Sequence, residues 1–176
     1  GGYLNMAVKI KGDLKSQYYL ASINKIQEKI ESNEKISFSF SIADIIKQIH
    51  KSLMDNDENF ETIPDNQKKI NNIFSLYSMA GEDNNFSSIA NDDFSTGLIN
   101  FRMRSVSTEK ANTIINEIKR ELSIYFNQDS YVVSGILVVL RDMANLLVKY
   151  SFVNIFSAIF FIFLISWIYF KSYIWA

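Results

Sequence analysis

A single histidine, no cysteine and nineteen Asp and Glu residues are the material for chemistry in this chain of 176 residues. His50 has no second imidazole or thiolate to share a metal with, and Gln48, Lys51 and Ser52 around it mark a polar helix face, so it reads as a solvated side chain. Asp55, Asp57, Glu58 and Glu61 form a dense acidic run. It lacks the central Gly and the closing Glu of an EF-hand loop, and it reads as a solvated acidic loop in place of a cation site. Arg102 and Arg104 alternate along one strand, as on an exposed sheet face or an interface with a neighbouring domain. No serine lies in a nucleophile elbow, and no G-x-G-x-x-G or Walker pattern exists. No catalytic, cofactor-binding or metal-binding residue is therefore assigned, no cofactor is expected, and the chain is not expected to be an enzyme. The substrate-binding residues stay open.

The averages conceal a split. Mean hydropathy is +0.00 and net charge is −1; near-neutrality argues against nucleic acid, which calls for a strongly basic surface. Yet between Lys149 and Lys171 no residue is charged, and 21 apolar or weakly polar residues follow one another. At 1.5 Å per residue that run reaches about 30 Å, the thickness of a bilayer's hydrocarbon core. Tyr150 at one end and Trp167, Tyr169 and Trp175 at the other suit the interfacial belts. A transmembrane helix over 150–170 is expected. The residues before it hold nearly all the charge and form a water-facing domain. The start without Met and the end just beyond the span read as the limits of a piece cut from a longer membrane protein.

The domain alternates strands and helices. Leu4, Met6, Val8 and Ile10 alternate with polar neighbours, and Gly12-Asp13 breaks the pattern. Leu20, Ile23, Ile26 and Ile30 predict an amphipathic helix over about 15–32. Ile36, Phe38 and Phe40 alternate with serines as a second strand. Ser41 is an N-cap with Asp44 three residues on, leading a helix faced by Ile42, Ile45, Ile46, Ile49 and Leu53. Pro64 suits the first turn of a further helix that ends at Gly81. Phe86–Ala90 and Thr96–Arg104 read as a hairpin around Asn91-Asp92-Asp93. Ser107 opens a helix carrying Ala111, Ile114, Ile115, Ile118 and Leu122, and Tyr131–Ser134 is a last strand closed by Gly135. Setting aside a helical insert over about 42–81, the order is βαββαβ. An α+β fold of the ferredoxin-like kind over 1–135 is expected, with a linking helix over 136–149, the span over 150–170 and a short tail over 171–176.

Several short motifs carry a resemblance. Gly1-Gly2 precedes the first strand, which ends Val8-Lys9-Ile10-Lys11-Gly12-Asp13; Ser41-Ile42-Ala43-Asp44 starts a helix; and Ser134-Gly135 leads into an apolar helix with Asp142 and Asn145 and a span closing on Phe170-Lys171-Ser172. In this order they resemble the porter domain of resistance-nodulation-division (RND) transporters, most of all the MMPL-type or predicted-exporter branch. The low Gly and Pro content and the abundance of Ile, Asn and Lys depart from that family's pattern. The resemblance implies a parent with twelve spans in two halves, each half bearing one such domain. It implies proton-driven export of hydrophobic or lipid-like substrates. It also implies a place in the cell (inner) membrane with this domain extracytoplasmic or periplasmic, and as partners the bilayer, other transmembrane helices and the second porter domain. The relay carboxylates of that family lie in a later span, so none is assigned to a residue here. Charge alone does not place the domain outside, since Arg141 and Lys149 lie on its side of the span and only Lys171 lies beyond. The rival reading is a single-span sensor or adaptor whose domain binds a ligand or protein.

Overall fold

The computed structural model describes residues 2–79 and 86–170. The chain divides into two compact units, 1–138 and 139–176.

Period-two patterning builds the sheet of the first unit. In β1 (Tyr3–Lys11) Met6, Val8 and Ile10 are buried while Asn5, Lys9 and Lys11 are exposed. In β3 (Thr96–Arg104) Ile99, Phe101 and Met103 turn inward and Arg102 and Arg104 outward. These two strands pair antiparallel over their full lengths, from Tyr3 opposite Arg104 to Lys11 opposite Thr96. The shorter β2 (Ile36–Phe40) and β4 (Tyr131–Gly135) flank them, giving the order β2-β3-β1-β4 with every pairing antiparallel. Helices α1 (Gln17–Glu31) and α4 (Thr108–Tyr125) bury the stripes expected of them, Leu20, Ile23, Ile26 and Ile30 on one and Ile114, Ile115, Ile118 and Leu122 on the other. All belong to one hydrophobic core with the inward strand residues.

Between β2 and β3 lie α2 (Ile42–Leu53) and α3 (Gln67–Met79). Ser41 caps α2 as its sequence implies: its hydroxyl accepts from the Ala43 N–H, and the Asp44 carboxylate accepts from the Ser41 N–H at 2.9 Å. Pro64 stands outside α3, in the loop ahead of it, and Gln67 ties the start of that helix to α1 through the Gln17 N–H and the Lys15 carbonyl. The expected helix end at Gly81 lies outside the described residues. Phe86–Ala90 is not a strand arm: residues 86–89 form a turn, and only Ala90 makes a bridge, to Gly97. The reason is that Phe86 and Ile89 are both drawn into the core from that turn, whereas a period-two strand would have sent these two residues, three apart, to opposite faces.

β2 also departs from its simple alternation. Ile36 lies opposite Met103 but Phe38 opposite Arg102, so Ser37 is an extra residue and the register shifts there. Phe38 and Phe40 therefore leave the inward side; Phe38 is 56% exposed and its ring stacks on Phe40 at 6.3 Å. Ser39 is buried in their place. A polar network receives it. Gln27, 3% exposed on α1, donates from its amide to the Ser39 hydroxyl at 2.8 Å and to Asp44 at 2.7 Å, and accepts from the Ser41 hydroxyl at 2.6 Å. Glu31 accepts from both the N–H and the hydroxyl of Ser39. Truncating Gln27 would leave buried partners unsatisfied, at about 2–3 kcal/mol in all. Gln27→Ala is expected to lower the thermal midpoint of the full chain in detergent, followed by circular dichroism, by at least about 5 °C; an unchanged midpoint would show that the network does not hold α1 to β2.

Candidate functional site

The described residues of the second unit belong to α5 (Ile136–Phe170), a helix of 35 residues that begins at the residue after β4. Its stretch Ile136–Tyr169 has a mean hydropathy of 2.2 in its most apolar window, and no residue of that window is covered by the rest of the protein. The helix is long and apolar enough to cross a membrane, in keeping with the span expected over 150–170, and a core helix of a soluble domain would be covered. Its charges lie in the first half: Arg141 pairs with Asp142 at 2.7 Å, and Lys149 is the last charge before Phe170. Beyond Lys149 the exposed surface is a run of Phe, Ile and Val. Such surface is stable in hydrocarbon and costly in water.

Gly135, at the entry to α5, has φ +113°, and a Cβ there would lie 2.7 Å from the Cα of Met6 and 2.8 Å from the carbonyl oxygen of Asn5. Only glycine fits, because the obstruction is β1 backbone. The strand end anticipated at this residue is thus a close approach of two main chains.

His50 is a correction. It is 5% exposed, not solvated. The buried stripe of α2 runs Ile42, Ala43, Ile46 and His50, and His50 continues it at the spacing of four. The loop after α2 folds back over this stripe: the Thr62 carbonyl lies 2.9 Å from Nδ1, and the Phe60 ring meets the imidazole edge-on at 5.7 Å. A carbonyl only accepts, so Nδ1 carries the proton and Nε2 is left with an unused lone pair in a buried place.

The acidic run holds itself in shape. Asp55 and Asn56 take positive φ, and Asp57 accepts from the N–H and the side chain of Asn59. Glu61 accepts from Lys51 at 2.8 Å and from Gln48 at 2.7 Å. Among the described residues no three His, Cys, Asp or Glu side chains gather in a way that would hold a metal. Arg102 and Arg104 are exposed on the outer face of the sheet as expected, and the Arg102 guanidinium lies 4.6 Å from the Tyr3 ring centre.

One feature had no signal in the spacing. Phe74 and Tyr77 of α3, Phe86 of the turn and Phe94 ahead of β3 form a ring cluster, with Phe74–Phe94 at 4.9 Å and Tyr77–Phe86 at 4.2 Å. They line a cavity of about 520 Å³, where the Lys15 ammonium sits 4.8 Å from the Phe94 ring centre. The lining also holds Asn91 and the Asp92 carboxylate, so charges of both signs stand beside the rings.

No protein-family model matches the chain, and no curated protein matches it. What the geometry defines is an α+β domain on a four-stranded antiparallel sheet, together with one long apolar helix.

The Lys51–Glu61 pair sets a pH response. The hydrogen bond from Lys51 holds the Glu61 carboxyl below its ordinary range, and the same bond holds the Lys51 ammonium above its own. A lowered carboxyl contributes above its unfolded pKa and is lost as pH falls through the folded value; the raised ammonium contributes below its unfolded pKa and is lost as pH rises through the folded one. The Glu61 carboxyl resonance is expected to titrate below a free glutamate, and Lys51→Met to move it upward; identical titrations in both proteins would refute the pairing.

Proposed function

We propose that the chain is the porter domain and adjoining span of an RND or MMPL-type exporter, a non-enzymatic part that helps form a path for hydrophobic or lipid-like molecules moved by a proton-driven transporter. One observation carries the reading: the βαβ-insert-βαβ order closes on a glycine from which an uncovered apolar helix departs at once. The strand order β2-β3-β1-β4, antiparallel throughout, supports a ferredoxin-like split βαββαβ arrangement with α2 and α3 as its insert. Helix α5 is unbroken from Ile136 to Phe170, so the linking segment and the span are one element, and a tilt of the span is passed to β4. In this reading the domain faces the extracytoplasmic side of the cell membrane, and its partners are the bilayer, further spans and a second porter domain.

A single-span sensor or adaptor is the second reading. It is favoured by Arg141 and Lys149 on the domain side, the charge bias of a cytoplasmic flank. The coding frame separates the two. The exporter requires several further hydrophobic spans encoded after Ala176 and one before Gly1, and a stop codon soon after Ala176 would end that reading. Side is tested separately with Asn56→Cys in this cysteine-free chain. An impermeant thiol reagent is expected to label it in intact spheroplasts; labelling only after lysis places the domain in the cytoplasm.

A further inference from the structure

The four strands contain Lys9, Lys11, Arg102 and Arg104 and no Asp or Glu at all. All four cations are exposed. Register puts them on one side of the sheet, the side without helices: Arg104 lies opposite Tyr3, Arg102 opposite Asn5 and Phe38, and Lys9 opposite Leu98 and Val132. Tyr3, Phe38 and Val132 are more than half exposed there. The bulge at Ser37 is what brings Phe38 and Phe40 to this side. The result is an open face that is cationic, interleaved with aromatic and aliphatic groups, and free of carboxylates, on a chain whose net charge is −1.

A face of this composition matches an interface where anionic groups lie over hydrocarbon. Lys and Arg reach the headgroups, while Tyr, Phe and Val enter the boundary below them. Connectivity supplies the bilayer. Ser134, on the same face opposite Ala7, is two residues before α5 in the chain. From Ile136 to Lys149 the helix rises only about 21 Å, so the chain ties the sheet to the segment that enters the bilayer by a short tether. A soluble polyanion has no such tether, and the overall charge of the chain gives it no long-range attraction. We infer that the outer face of the sheet binds the anionic lipid headgroups of the bilayer that α5 enters. The inference rests on α5 spanning the membrane and not on transport.

The test uses the full chain in nanodiscs, either of phosphatidylcholine alone or with about one third phosphatidylglycerol. Val132→Cys on the face, Asn56→Cys on the acidic loop and Ile162→Cys within the span are labelled one at a time with an impermeant thiol reagent. Each Lys or Arg near an anionic surface is worth about fivefold in binding, by the usual 1 kcal/mol per residue. Labelling at Val132→Cys is therefore expected to slow about tenfold or more in anionic discs, and to recover in high salt or when Lys9, Lys11, Arg102 and Arg104 are all changed to Gln. Asn56→Cys is expected to label equally in both discs. Equal rates at Val132→Cys in the two discs overturn the inference. So does protection by an acidic peptide or a single-stranded oligonucleotide without protection by lipid, which would assign the face to a soluble partner. Labelling of Ile162→Cys removes α5 from the bilayer and takes the inference down with the span.

Discussion

Gln27 has both ends of its amide committed inside the protein, and much of the local architecture depends on where those bonds go. Its nitrogen serves Ser39 and Asp44 and its oxygen receives Ser41, so one side chain of α1 fixes the second strand and the start of the second helix together. Buried amides are tolerated only when satisfied, and here satisfaction demands that Ser39 face inward. An inward Ser39 in turn requires the extra residue at Ser37. The aromatic pair Phe38 and Phe40 is displaced to the outer side as a consequence, so a hydrogen-bonding requirement on one side of the sheet decides what the other side presents.

This chain of dependence also explains how far the sequence could be followed. Met6, Val8 and Ile10, or Ile114, Ile118 and Leu122, announce their faces because burial acts on a fixed local period. The capping pair Ser41 and Asp44 is local too. Phe38 defeats the same reasoning, because its side of the sheet is set by a glutamine eleven positions earlier in the chain. His50 defeats it because the loop that covers it arrives from beyond α2, and a lone imidazole among polar neighbours looks solvated until its stripe is extended by one more turn. The apolar helix was legible for the opposite reason: it needs no partner from the rest of the fold, so nothing non-local alters it. The aromatic cavity has parts from three separate segments, and no spacing rule joins Phe74 to Phe94.

A formal charge of −1 over the whole chain describes neither region well. Among the described residues the strands contribute only cations, the carboxylates sit in helices and loops, and the span contributes nothing. Some of these loop carboxylates are held ionised by local donors: the Ser95 hydroxyl and N–H lower Asp93 much as Lys51 lowers Glu61. Electrostatics is therefore organised by layer, and an average over the sequence erases that organisation.

The two outermost strands are each five residues long, and one of them carries the bulge. In solution an unpaired strand edge invites a neighbour to add to the sheet. A short edge with an interrupted ladder offers an incoming strand few bonds in register. The irregularity at Ser37 thus also guards against runaway sheet extension between copies of this chain.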